Sequence, residues 1–438
     1  MSDEDDFIRA ARAAPEDDAL RLVYADWLEE HDQGPRAELI RVQCALAALA
    51  EGDSGRAALE ARSAELLGRY GKSWGKGLPG KVQWMRGFPE VFGVRVGEYL
   101  RRARALERLA PVQAVHLYEP DESEREDGDD GLEDDEFVRL TQSPLLDRWT
   151  ALTITPSLFI ALDERWGCFE ALAAAPHLTR LRRLSVRNND CLGPMVCAVA
   201  APQFAHLKYL DIFNSDSFSN GPADEGIARI VTSPHMARLE HLDIGVCDVG
   251  DGGICALATS PSMAGLKTLK AEGNMFTGRG LRDLTASRSL PHLTHLNLND
   301  GLDRRGAPEP DDDPLTVLID SPLLARLHGL GIAGWSLQDA DLLRLAARTG
   351  AAGLRFLSVG GPNLSAAGTR ALLDSPNLSQ LTHLEWCRWG LTDEIASVLL
   401  GAPQLTRLTV SGTDDPPLSE DMVRRLQERF VVVFRPED

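Results

Sequence analysis

One phrase, Leu-x-x-Leu-x-Leu/Val/Ile, recurs along most of this 438-residue chain and limits what it can fold into more than any other feature. It is clearest as "LRRLSV" (Leu181 to Val186), "LKYLDI" (Leu207 to Ile212), "LEHLDI" (Leu239 to Ile244), "LTHLNL" (Leu293 to Leu298) and "LHGLGI" (Leu327 to Ile332). Weaker copies are "VQAVHL", "WTALTI", "LKTLKA", "LRFLSV", "LTHLEW" and "LTRLTV". Their second anchors are Val115, Leu152, Leu184, Leu210, Leu242, Leu269, Leu296, Leu330, Leu357, Leu384 and Leu408, and the basic step is 27, as from Leu242 to Leu269 to Leu296. "VFGVRV" (Val91 to Val96) fits as a further, N-terminal copy. A fixed period of this size belongs to units that stack in one dimension.

Within a copy, alternate apolar residues such as Leu184 and Val186 predict a short strand with one face in a core and the other, at Ser185, in solvent. A loop and a helical phrase follow, as in "GGICALATSP", "GTRALLDSP" and "EIASVLLGAP", and each ends where proline disfavours helical geometry just before it. One strand and one helix cannot bury a core alone, so the units must pack on one another. These phrases resemble the leucine-rich repeat family, of the longer, ribonuclease-inhibitor-like kind. The Asn/Cys position of that repeat is filled by Asn189, Cys247 and Asn274, with Ser157, Ser215 and Thr413 as polar stand-ins. Trp335 and Trp389 occupy it elsewhere, where a different turn is expected. The resemblance implies an α/β leucine-rich repeat solenoid, a horseshoe with parallel strands on its concave face and helices on its convex face, with a small helical N-terminal domain.

One stretch does not repeat. "RLVYADWLEEHDQGPRAELIRVQCALA" (Arg21 to Ala47), with the later "LPGKVQWMRGF", resembles the small repeat-companion domain at the N-terminus of bacterial leucine-rich repeat proteins of planctomycetes and myxobacteria. That resemblance implies no activity. Phe7, Ile8, Leu20, Leu22, Val23, Tyr24, Trp27, Leu28, Leu39, Ile40 and Val42 suffice for a small helical core that caps the array or binds a partner. The expected division is a helical companion domain over 1–50, a helical linker and N-terminal cap over 51–90, an array of 11 to 12 repeats over 91–417 and a C-terminal cap over 418–438.

No run of about 18 apolar residues exists to span a bilayer, and the acidic start "MSDEDDFIRAARAAPEDD" is unlike a signal peptide. Seven cysteines without CxxC argue against a disulfide framework or zinc site, so a cytoplasmic protein, monomeric when unbound, is expected. The formal net charge of −20 argues against nucleic acid as partner. Residues 119 to 136 hold 12 acidic side chains and one Arg, whereas residues 69 to 108 hold 10 Lys/Arg against 3 acids. The acidic run reads as a solvated loop insertion; loose cation binding or folding back onto the basic segment are its alternatives. Asp127, Asp129 and Gly131 fail the third position of a calcium loop.

Outward side chains on successive strands form columns. Aromatic and Arg residues, the types enriched in binding hot spots, concentrate at Tyr118, Arg183, Arg187, Tyr209 and Phe213, and with Asp211, His241, Asp243 and Lys270 they make the candidate protein-binding set. The stretch Gly329 to Ala333 reads as nearly featureless. Asp211, Asp243 and His241 could in principle bind metal or move protons, but no nucleophile accompanies them and an open sheet excludes little water. A non-catalytic protein-interaction scaffold, with no cofactor or metal, is expected. The alternative is a regulator of a partner enzyme such as a nuclease, GTPase or protease.

Overall fold

The computed structural model describes residues 3–14, 17–49, 56–78, 81–109, 113–118, 134–155, 165–188, 199, 201–214, 223–300, 313–387, 390–411 and 418–435. The acidic run up to residue 133, the turn residues Ser157, Asn189, Ser215 and Thr413, Trp389, and Cys191 and Cys197 lie outside the described residues. Two compact units divide the chain, Met1–Val186 and Arg187–Asp438.

The first unit opens with helices α1 (Asp3–Ala13), α2 (Asp18–Glu30), α3 (Gly34–Ala48) and α4 (Arg56–Trp74). Asp17 caps α2 by accepting the Ala19 N–H at 2.9 Å, and Pro35 sits in the first turn of α3, where its missing N–H costs nothing. Helix α2 buries Arg21, Tyr24, Ala25 and Leu28, one stripe at three- and four-residue spacing. Strands β1 (Lys81–Met85) and β2 (Phe88–Val94) then form an antiparallel hairpin. Its two-residue loop, Arg86 and Gly87, has φ of 48° and 82°, the left-handed pair that such a tight turn requires. A Cβ on Gly87 would lie 2.0 Å from Ile40 Cγ1, so only glycine lets the turn enter the helical layer.

The hairpin and the helices share one core, in which Phe88 packs with Ile8, Tyr24, Leu28, Ile40 and Cys44. Polar groups fasten the same junction. Arg21, fully buried, donates to the carboxylate of Glu90 and lies over the Phe88 ring, 5.6 Å from its centroid. Gln43 accepts the Gly87 N–H at 2.7 Å and donates to the Trp84 carbonyl at 3.0 Å. The segments quoted above as companion-domain motifs are thus assembled against one another. Helix α5 (Val96–Leu109), β3 (Ala114–Leu117), α6 (Asp134–Thr141), β4 (Ala151–Ile154), α7 (Arg165–Ala173) and β5 (Arg183–Val186) complete the unit. From β2 to β5 the pairing is parallel, with Phe92, Val115, Leu152 and Leu184 in one register; the N-terminal copy expected at Val91 to Val96 is thereby corrected by two residues, since Val94 pairs with Leu117 and Val96 opens α5.

The second unit alternates β6 (Tyr209–Asp211), α8 (Ala223–Thr232), β7 (His241–Asp243), α9 (Asp251–Thr259), β8 (Thr268–Lys270), α10 (Gly278–Thr285), β9 (His295–Asn297), α11 (Pro314–Ile319) and β10 (Gly329–Gly331). It continues through α12 (Asp339–Ala346), β11 (Phe356–Val359), α13 (Ala366–Leu373), β12 (His383–Cys387), α14 (Asp393–Leu400), β13 (Arg407–Ser411), α15 (Glu420–Arg429) and β14 (Val431–Arg435). All its strand pairs are parallel. The anchor leucines Leu210, Leu242, Leu269, Leu296, Leu330, Leu357, Leu384 and Leu408 stack in register as a buried column. Each is worth roughly 1.5–3 kcal/mol when buried.

Polar side chains couple the stacked repeats as regularly as the leucines do. After three of the strands the repeat's Asn/Cys position sends a donor to a carbonyl of the preceding repeat; after β11 the position is Pro362, which has no donor to send. Asn274 donates to Ile244 O at 2.8 Å, Cys247 Sγ to Ile212 O at 3.1 Å, and Trp335 Nε1 to Leu298 O at 2.8 Å. The expectation of a different turn at Trp335 is corrected by this bond: the indole N–H replaces the amide. The backbone agrees, because Gly334 and Ser336 flank Trp335 in the left-handed region, as Val246 and Asp248 flank Cys247.

On the helix side, the first-turn Asp of one repeat caps the helix of the next. Asp224 accepts from the Gly250 and Gly252 N–H groups, Asp251 from Thr277 and Gly280, Asp339 from Ser365, and Asp393 from Ser419. The Ser-Pro phrases cap short 3-10 turns, since Ser233, Ser260 and Ser375 each accept the N–H two residues on. Ser260 and Ser375 also donate to Val231 O and Ala346 O of the repeat before, both at 2.6 Å. Both units are therefore stretches of α/β leucine-rich repeat solenoid. Among the described residues no helix is long and apolar enough to cross a membrane.

Asn274 is buried and makes four such bonds, its oxygen accepting the Cys247 and Val249 N–H groups at 3.0 Å each and its nitrogen serving Ile244 O and Ala271 O. Asn274→Ala would strand all four backbone groups away from water. Denaturant unfolding should show a loss of ~3 kcal/mol or more, well above the ~1 kcal/mol of an ordinary substitution.

Candidate protein-binding face

Seven of the nine candidate residues, from Arg187 to Lys270, belong to the second unit, while Tyr118 and Arg183 belong to the first. In the first unit Tyr118 follows β3, its ring against Gly93 of the neighbouring strand, and Arg183 opens β5. Both lie on the outward side of their strands, as the alternation predicts.

In the second unit Asp211 and Asp243 end β6 and β7, side by side in register. Each accepts the N–H two residues on, Asp211 from Phe213 at 3.2 Å and Asp243 from Gly245 at 3.1 Å, and Asn297 repeats the bond with Asn299 at 3.0 Å. This local turn explains why a short polar side chain ends these strands. Neither carboxylate faces open water: the side chains are only 7% and 6% exposed. Each instead supports a cation. Arg187 Nε lies 3.6 Å from Asp211 Oδ1, and Lys270 Nζ lies 3.4 Å from Asp243 Oδ2. The cations are the exposed partners, at 41% and 47%.

Phe213 and Gly245 fill the space between them. The Arg187 guanidinium rests on the Phe213 ring, 4.5 Å from its centroid. A Cβ on Gly245 would meet Phe213 Cδ2 at 2.8 Å and Glu272 Cγ at 2.9 Å, so glycine here lets ring and carboxylate close over the strand. The Tyr209 and His241 rings lie with centroids 6.0 Å apart. Burial raises the pKa of Asp243 and of Glu272, opposed in both by Lys270. Lys270 is drawn down by burial, but Asp243 and Glu272 outweigh that and raise it. The result is a coupled group of charges, with acids beneath and cations above.

Glu272 was not among the singled-out residues, although it accepts from the Asn297 amide and joins the cluster to the next repeats. The Gly329 to Ala333 stretch is likewise not featureless. The His295 ring leans over Gly329, and the side chains of Asn297 and Asn299 lean over Gly331, where a Cβ would sit 2.3 and 2.9 Å from their oxygens. Asn299 reaches past this strand to donate to Ser358 Oγ at 3.0 Å, and Ser358 and Ser411 contact Cys387 Sγ at 3.0 and 3.1 Å. Burial pushes the Cys387 thiol up to about 12, so it packs rather than reacts. The Gly-x-Gly strand beside the two asparagines of the β9 repeat was the legible signal for this network.

Burial lowers the pKa of His295, and the neighbouring His328 and His241 lower it further. Both carboxylates of Asp211 and Asp243 accept from their own backbone and pair with a cation, and the His241 ring lies beside Tyr209. Among the described residues no three His, Cys, Asp or Glu side chains are grouped to hold a metal ion.

No protein-family sequence model and no curated protein sequence matches the chain. Solved structures do resemble it. A Bacteroides fragilis protein is 17% identical, over 61% of this chain and 69% of its own, with a TM-score of 0.35. An internalin of Listeria monocytogenes is 16% identical, over 70% of this chain and 90% of its own, at 0.33. Toll of Drosophila, in its complex with Spatzle, is 13% identical, over 83% of this chain and 46% of its own, at 0.35. The repeat register described above, rather than these likenesses, carries the assignment of the fold.

A carboxyl group with a raised pKa binds its proton more tightly in the folded than in the unfolded state, so its contribution to stability falls as pH rises from the ordinary carboxylate range through the raised value. Glu272→Gln removes that fall. Denaturant unfolding of wild type and variant between pH 4 and 7 should show the variant gaining stability relative to wild type as pH increases; a constant difference would mean that Glu272 is not held up by burial.

Proposed function

We propose that the strand face of the second unit, centred on Arg187, Tyr209, Phe213, His241 and Lys270, binds a partner protein and does no chemistry of its own. The observation that carries this reading is the Arg187 guanidinium stacked on Phe213 above the buried Asp211, two-fifths exposed. An aromatic ring and a cation are fixed in place outside the core, at a position where folding requires neither. Arg and aromatic side chains held rigid at a surface lose little entropy when covered and supply a large share of binding energy at interfaces. The two carboxylates that could have served catalysis are used to brace this arrangement.

For the first unit, we propose that the helices and hairpin act as a cap supporting the first parallel strand. The shared core around Phe88 and the Arg21 to Glu90 pair support that role.

The test is a quantitative pull-down from the source lysate, comparing wild type with Tyr209→Ala/Phe213→Ala/Arg187→Glu after thermal melting has shown the variant folded. Specific proteins captured by the wild type should be lost by the variant. Equal capture by both would remove the strand face as the binding site.

A further inference from the structure

Val246 follows β7 by three residues and has φ of 52°, a left-handed conformation that crowds the Cβ of a β-branched side chain against the backbone. Neighbouring repeats put residues suited to this backbone in the same slot: Asn188, Asn214, Gly273 and Asp300, with φ between 52° and 64°. The strain at Val246 is not recovered by burial, since the residue is 38% exposed. Met275, just past the slot in the next repeat, is also exposed, at 37%. Val246 Cγ2 leans toward Gly273, where a Cβ would come within 2.8 Å of it, so the apolar surface runs from one repeat to the next. On the other side, Gly245 carries the Phe213 ring. Phe213, Val246 and Met275 thus belong to three successive repeats and form an apolar strip along the ends of the strands.

The charges beside this strip are sorted by depth. The acids Asp211 and Asp243 are buried, and the cations Arg187 and Lys270, each pinned by one of those acids, present their charge to solvent. A guest meets fixed positive donors next to an apolar strip. We propose that this strip docks a protein segment that carries an Asp or Glu side chain beside an aliphatic or aromatic one, the apolar group covering Phe213, Val246 and Met275 and the carboxylate meeting Arg187 or Lys270. The proposal rests on the protein-binding reading of the face and adds the chemistry of what it binds. Strained residues persist where the surrounding structure over-determines them and cluster at ligand clamps and switch regions, and a valine where asparagine or glycine would fit better is such a residue. A carboxylate paired with pre-placed Arg or Lys donors forms charge-assisted bonds without first ordering those side chains. Repulsion from the net charge of −20 reaches only about 8 Å at physiological salt, so it slows approach more than it opposes the docked contact.

The test selects a library of random peptides displayed on phage against the full chain and against Arg187→Glu/Lys270→Glu, then measures the enriched peptides on Val246→Asn by fluorescence polarisation alongside thermal melting. Wild type should enrich peptides with Asp or Glu next to an aliphatic or aromatic residue, and the charge-reversed variant should turn the preference to Lys or Arg. Val246→Asn should melt at the same or a higher temperature, as its backbone is relieved, yet bind the selected peptides at least ~10-fold more weakly. A basic or purely polar consensus whose binding still depends on Tyr209, Phe213 and Arg187 would overturn the chemistry proposed here while leaving the binding face intact. Enriched peptides indifferent to all of these substitutions would overturn both. Unchanged affinity in Val246→Asn would overturn the role of the strip.

Discussion

Every repeat of this protein is incomplete alone, and the structure follows from how its neighbours complete it. A three-residue strand and a helix of two turns bury their leucines only when the next repeat lies on top, so Leu210 through Leu408 form one column instead of separate cores. The polar groups obey the same rule. Carbonyls at the strand ends are met by Asn274, Cys247 or Trp335 of the following repeat, and helix N-termini by Asp224, Asp251, Asp339 or Asp393 of the preceding one. Asparagine, thiol and indole serve equally at the strand ends because the position requires a donor aimed at one carbonyl and tolerates large differences in volume.

That regularity frees the outward face for other uses. Its side chains are not needed for the leucine column, yet several are buried, because the adjacent strands and missing side chains at Gly245, Gly329 and Gly331 let neighbours lean inward. Asp211 and Asp243 therefore lie beneath Arg187 and Lys270 instead of beside them, with Glu272 half-buried on the next strand's end. A charged surface arranged in depth behaves unlike one arranged in a plane. What approaches meets the upper layer, while the lower layer sets how firmly that layer is held and, through the raised pKa of Asp243 and Glu272, how it responds to pH.

Much of this was legible in the chain. From β3 onward the repeat period gave the strands, their register and the alternation of core and outward residues, because burial of one face in a parallel stack leaves no other solution; the copy at Val91 to Val96, where the hairpin sets the entry, is two residues out of register. The Cys247 and Asn274 positions were readable for the same reason, and Trp335 was misjudged because its consensus letter differs while its hydrogen bond does not. Depth was not legible. Alternation places Asp211 on the outward side but does not say that Arg187 will cover it, since that depends on Phe213 lying across Gly245. The strain at Val246 was invisible too, as backbone sign emerges only when successive turns are superposed and one of them lacks asparagine, aspartate or glycine.

The helix-side contacts share a feature with wider reach. At the helix ends the N-terminal repeat supplies the acceptor and its successor the donor: Asp251 to Thr277, Val231 O to Ser260, Ala346 O to Ser375, Leu373 O to Gln404, Asp313 to Arg344. The helical layer thus has a chemical direction, like a strip of hook-and-loop tape with hooks on one edge only. A repeat can be followed by another but cannot be joined face to like face, because acceptor would then oppose acceptor. Growth by duplication of whole repeats keeps these junctions matched, whereas inversion or symmetric pairing through the helix ends would set acceptor against acceptor.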